Sequence, residues 1–118
     1  MRNSRNNRLV CCSILSEYCK FLELKDIPKL IFYKKDILKL PYQDRKGGSN
    51  HKKMDGCYYS DSNVIYININ NHRTRKALQD TIIHELVHKV TNCALPHGEI
   101  FDNIIEIIEN IYTMSSIV

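Results

Sequence analysis

Apolar residues recur at helical spacing over residues 8–24. Leu9, Cys12, Leu15, Cys19 and Leu22 form one stripe, flanked by Val10, Ile14, Tyr18 and Phe21. Asp26 and Pro28 are positioned to end that helix. The run Lys29-Leu30-Ile31-Phe32-Tyr33-Lys34 then reads as a short buried strand. From Asp36 to Asp55 the pattern breaks at Pro41, Gly47-Gly48 and Ser49-Asn50, which predicts a long loop. Gly56 to Ser60 and Val64 to Asn70 read as two strands joined by a turn at Asp61-Ser62-Asn63. Asn70-Asn71 or Thr74 can cap the helix that follows.

That helix spans about residues 75–92. Leu78, Ile82, Leu86 and Val90 form its apolar row, with Ile83 and Val87 beside them. Asp80, His84 and His88 form a polar row at four-residue spacing. Pro96 closes a turn from Asn92. A last helix, apolar over a wide arc from Ile100 to Tyr112 and therefore expected to be well buried, covers about residues 98–113. The predicted fold is α+β: an N-terminal helix, a small mixed three-stranded sheet, a helix carrying the chemistry and a C-terminal helix. At 118 residues this is one domain, 1–118, with residues 1–7 as a flexible basic arm and 36–55 as the long loop.

Composition narrows the class. A chain that is 43% hydrophobic can build a modest core without disulfide staples. Five cysteines, two of them adjacent at Cys11 and Cys12, do not suggest a disulfide framework. Reduced thiols fit a cytoplasmic location. Cys11, Cys12, Cys19 and Cys57 read as small core or half-buried residues, and Cys93 as a neighbour of the polar row's chemistry. No apolar run is long enough to cross a bilayer, and the short run after Arg2, Arg5 and Arg8 lacks a cleavage site, so no membrane partner is expected. The net charge of +4 draws on the N-terminal arm and on Arg45, Lys46, Lys52 and Lys53. That excess leaves nucleic acid open as a partner, although a solvated, flexible basic loop and tail is the favoured explanation.

The chemistry lies in His84-Glu85-Leu86-Val87-His88, an H-E-x-x-H pattern. Two histidines four apart share one helix face and can grip one Zn²⁺, and Glu85 is the candidate general base toward a zinc-polarised water. A catalytic zinc takes three protein ligands, and a straight helix cannot supply the third. His97 follows His88 by 9 positions (97 − 88), across a turn that returns the chain to the helix. Its rivals are Glu106 and Glu109, at 18 and 21 positions (106 − 88 and 109 − 88), which would make the site gluzincin-like. Asp80 is a candidate acceptor for a ligand's second ring N–H. Tyr58, Tyr59, Tyr112 and Arg73 are candidate oxyanion donors. A zinc- and DNA-binding module without catalysis is the third alternative.

His84-Glu85-Leu86-Val87-His88 together with His97-Gly98-Glu99-Ile100-Phe101 resembles the SprT-like, Spartan-type metalloprotease family. The likeness covers about residues 56–112. It implies a zincin-like minimal fold and a zinc-dependent endopeptidase, with His84, His88 and His97 on the metal and Glu85 as base. It also implies a protein or peptide substrate paired along an edge strand, here 56–60, with 64–69 inside the sheet. The spacing from His88 to His97 is compact, and the zinc ribbon or DNA-binding extension of family members linked to DNA–protein crosslink repair is not found in this sequence, so that role is not expected here, although the basic loop leaves it open.

Overall fold

Helices on one side, a three-stranded sheet in the middle and a short helical cap on the other side make up this α+β molecule. The computed structural model describes residues 4–45 and 54–117, with side chains over 5–45 and 54–114. In chain order the elements are α1 (Ser4–Phe21), β1 (Lys29–Ile31), α2 (Lys34–Ile37), α3 (Tyr42–Arg45), β2 (Gly56–Tyr59), β3 (Val64–Ile67), a 3₁₀ turn (Ile69–Asn71), α4 (Arg75–Val90) and α5 (Glu99–Ile117).

α1 buries Cys11, Ile14, Leu15, Tyr18 and Cys19, the i, i+3, i+4, i+7, i+8 pattern of one helix face. The predicted stripe is therefore rotated, because Leu9 and Cys12 face solvent. The helix also begins a turn earlier than expected, which makes residues 4–7 helical rather than a loose arm. Residues 1–3 lie outside the described residues. Its end is not set by Asp26 or Pro28. Glu23 adopts a left-handed conformation at φ 56°, and the helix closes there. Leu24 donates its N–H to the Cys19 carbonyl at 2.9 Å and Glu23 donates to Lys20 at 3.1 Å, the paired bonds of a Schellman cap.

The sheet order is β1-β3-β2, with β1 parallel and β2 antiparallel to the central strand. All four residues of β3 are buried because both its faces are covered. Ile65 and Ile67 join α1, α4 and Phe101 of α5 in the main core. Val64 and Tyr66 pack with Ile31, Tyr59 and α2's Ile37 on the other face. The strands are shorter than predicted. Tyr33 caps α2 instead of extending β1, and β3 gives way to the 3₁₀ turn, where Asn71 donates its N–H to the Asn68 carbonyl.

The expected long loop is partly ordered by α2 and α3. Asp44 of α3 accepts the Asp61 N–H at 3.0 Å and the Ser62 hydroxyl at 2.6 Å, which pins the tip of the β2–β3 hairpin. Positions 46–53 of that loop, including Lys46, Lys52 and Lys53, lie outside the described residues. Of the basic residues there, Arg45 is exposed and its Nε donates to the Leu40 carbonyl. No helix among the described residues is long and apolar enough to cross a membrane.

Where β2 meets α4, the residue must be glycine. A Cβ on Gly56 would stand 2.8 Å from Thr81 Cγ2 and 2.9 Å from the Tyr66 carbonyl oxygen. Thr81 cannot easily turn away. Its hydroxyl lies 2.7 Å from Nε2 of the buried His72, whose Nδ1 lies 2.7 Å from the Asn68 carbonyl. The tautomer that serves both partners donates from Nδ1 and accepts at Nε2. This chain of contacts ties the 3₁₀ turn to α4 and lets β2 lie close along it. Two opposite stability changes are expected from urea denaturation. Gly56→Ala should lose about 1–3 kcal/mol by overpacking. Glu23→Gly should gain roughly 0.5–1 kcal/mol by relieving the left-handed backbone at the α1 cap.

Candidate metal centre

Thr74 begins α4 by accepting the Ala77 N–H at 3.1 Å; Asn70 and Asn71 fall instead in the 3₁₀ turn. Leu78, Ile82, Ile83, Leu86 and Val87 then hold one side of α4 in the core, whereas Val90 emerges at its exposed end. With that side fixed, 3.6-residue periodicity fixes the neighbouring row. His84 and His88 fall on it, one turn apart, half-buried, with ring centroids 4.9 Å apart.

The chain reverses directly after His88. Asn92 and Cys93 both take left-handed conformations, at φ 54° and 56°. Cys93 donates its N–H to the His88 carbonyl at 2.7 Å, and Asn92 donates to Lys89 at 3.1 Å. This is a second Schellman cap, with asparagine at the position where glycine or asparagine is favoured. Cys93 has no such preference, so its backbone holds strain of order 1–3 kcal/mol. The turn carries the chain through Pro96 to His97, immediately before α5.

His97 Nε2 lies 3.1 Å from His84 Nε2 and 2.9 Å from His88 Nε2. One ring proton can serve only one of these contacts, whereas a cation takes all three lone pairs at once. Ligands at 2.0–2.1 Å around a tetrahedral zinc would stand about 3.3 Å apart, near the separations found here. The residues present therefore fit a metal ion, and among the described residues these three form the group able to hold one. Burial depresses the pKa of His84 and His88, helped by the neighbouring imidazoles. His88 falls to about 4, and Asp102 opposes the shift at His84. Neutral imidazoles are the form that binds a metal.

Glu85 is only 5% exposed. Its carboxyl accepts the backbone N–H of Tyr58 in β2, and burial outweighs that bond to push its pKa up to about 8. A cation at the histidines would act in the opposite direction. Two cavities meet at His84 and Glu85. One, of about 430 Å³, extends past His88, His97, Cys93, Leu95 and Tyr58; the other, of about 320 Å³, extends past Thr81, Asp80 and Asp55. Both are bordered by Met54 and Gly56.

The remaining sequence candidates lie elsewhere. Asp80 is held by Lys76, not by a ligand imidazole. Glu109 pairs with the same Lys76 at 3.4 Å and Glu106 is exposed, so neither glutamate joins the cluster. Tyr58 turns its hydroxyl to Asn63 at 2.9 Å, where Lys89 also donates at 2.8 Å. Tyr59 is buried on the far face of the sheet, and Tyr112 donates to Glu17 and stacks on Tyr18. Arg73 borders a separate cavity at the start of α4. Cys93 lines the larger cavity but is not part of the ligand group.

Phe101 is the contributor that sequence reasoning left among the core residues. It is fully buried, and its ring centroid lies 4.7, 4.6 and 5.2 Å from those of His84, His88 and His97. It forms a floor beneath all three imidazoles and limits their tilt. Its place four residues after His97, on the buried side of α5, was the available signal. No family model, curated protein or solved structure matches this chain.

Metal binding should follow the geometry. By metal analysis after dialysis, the wild-type chain is expected to hold about one equivalent and His97→Ala to fall well below it. Cys93→Gly should keep the metal and gain stability, because glycine suits its backbone conformation. Loss of metal in Cys93→Gly with retention in His97→Ala would assign the third ligand wrongly.

Proposed function

We propose that this chain is a zinc-dependent metalloendopeptidase of the SprT-like kind, with a zincin-like minimal fold. The observation that carries the reading is the convergence of three Nε2 atoms, from α4 and the turn before α5, beside a buried carboxyl one residue along from the first. His84, His88 and His97 would hold the zinc. When bound, zinc supplies Lewis-acid polarisation of water and of a peptide carbonyl.

The chain's own groups supply the proton chemistry. Glu85 takes a proton from the attacking water on a carboxylate oxygen and returns it to the leaving amine nitrogen. The Tyr58 N–H fixes the direction of that carboxylate. Burial keeps bulk water away and makes the carboxylate a stronger base than an exposed one. Phe101 holds the imidazoles in register as a positioning residue.

The sheet supports a polypeptide as the substrate. Among the described residues β2 pairs with β3 on one side only, so its other side is an edge beside Glu85. An extended polypeptide can pair with such an edge through its backbone while side chains enter the two adjoining cavities. The glutamate ligand sets are not supported, because Glu109 is engaged by Lys76 and Glu106 faces outward.

Glu85→Gln is the decisive variant. The zinc-loaded enzyme is expected to cleave an unfolded fluorogenic casein, and the variant to retain zinc but lose about 10²–10⁴-fold in turnover. Undiminished cleavage by Glu85→Gln, or no cleavage by the zinc-loaded wild type, would remove the peptidase reading.

A further inference from the structure

Helix α5 has two apolar faces, and the domain uses one. Phe101, Ile104, Ile105, Ile108 and Tyr112 lie against the main core. On the other side Ile100, Ile107, Ile111 and Met114 are 66%, 56%, 51% and 68% exposed. Their spacings of 7, 4 and 3 (107 − 100, 111 − 107, 114 − 111) place them on one continuous stripe. At 1.5 Å per residue it runs for about 21 Å, the length of four turns of a facing helix. Scattered apolar residues on a surface need no explanation, but a stripe in register along a helix has the form of a docking face.

The charge beside the stripe selects the occupant. Glu99 and Glu106 are exposed along one border, with Asp102 behind them. α5 contains no lysine, arginine or histidine, although the chain as a whole carries +4. Among the described residues no ion pair engages Glu99, Asp102 or Glu106; the α5 carboxylate that is paired is Glu109. A symmetric antiparallel pairing of two copies through this stripe would set the Glu99–Glu106 border against itself. An anionic membrane surface would meet the same repulsion. A helix with an apolar stripe flanked by lysine or arginine meets complementary charge instead.

We infer that the exposed face of α5, centred on Ile107 and Ile111, docks a basic amphipathic helix of a partner protein. This surface is separate from the histidine cluster and does not depend on the peptidase reading.

The probe is a synthetic 18-residue helical peptide with leucine along one stripe and lysine on both flanks. A companion peptide replaces the lysines with glutamates. Anisotropy titrations of the full chain should give at least 10-fold tighter binding of the lysine peptide. The double variant Ile107→Asn/Ile111→Asn should lose at least 10-fold in that binding while keeping the wild-type circular-dichroism spectrum, since both residues are more than half exposed. Glu99→Gln/Glu106→Gln should narrow the difference between the peptides. Equal binding of the two peptides, or binding indifferent to Ile107→Asn/Ile111→Asn, would overturn the inference. So would a wild-type dimer by light scattering that this double variant abolishes, which assigns the stripe to a second copy. Co-sedimentation with phosphatidylserine vesicles, lost in the same variant, would assign it to a lipid surface.

Discussion

The constraint on which this structure turns is that the Nε2 atoms of His84 and His88 both stand within hydrogen-bonding distance of a third, that of His97. Neutral imidazoles do not seek that arrangement for its own sake, because the shared Nε2 has a single proton or a single lone pair and cannot serve two neighbours well. The scaffold must therefore impose it. Core packing fixes the rotation of α4, a double left-handed turn fixes the return of the chain, and Phe101 fixes the rings from beneath. Each of these acts on different residues, so the geometry does not rest on one contact.

Gly56 belongs to the same construction, although it touches no histidine ring. Thr81 is held by His72, and this leaves room for β2 only where the strand has no side chain. The close approach lets the Tyr58 N–H reach Glu85. A buried carboxyl with no partner would be costly, and a fully solvated one would be a weak base. One backbone donor in a largely dry site lies between these limits.

Much of this was legible in the sequence because it depends on periodicity. Spacing of four put His84 and His88 on one face, and the apolar row of α4 identified the core side of that helix. Alternation and turn residues placed the β2–β3 hairpin. Contacts between distant segments were not legible. The rotation of α1 depends on which of two adjacent apolar arcs meets the sheet, and Leu9 and Cys12 are on the arc that does not. The cap at Glu23 uses a residue with no preference for its backbone conformation, so the end of α1 carried no glycine signal. Asp80 sits correctly on the polar row of α4, but whether it faces an imidazole or Lys76 depends on side-chain partners, and Lys76 is one turn closer to the N-terminus. Which of His97, Glu106 and Glu109 joins His84 and His88 was likewise not legible, because it depends on the turn at Asn92 and Cys93.

Helix α5 shows how the two scales of argument combine. Its width of apolar arc reads from sequence as deep burial, yet half of that arc faces outward. The domain needs only the side bearing Phe101, because that side supports the histidines and closes the core against α1 and α4. Hydrophobic residues beyond that requirement weaken solubility and add nothing to the packing of this chain. Their register and the one-signed charge beside them are therefore properties of a surface rather than of the core. A helix can in this way support a histidine cluster with one face and leave a second apolar stripe exposed, because its 3.6-residue repeat keeps the two sets of side chains apart.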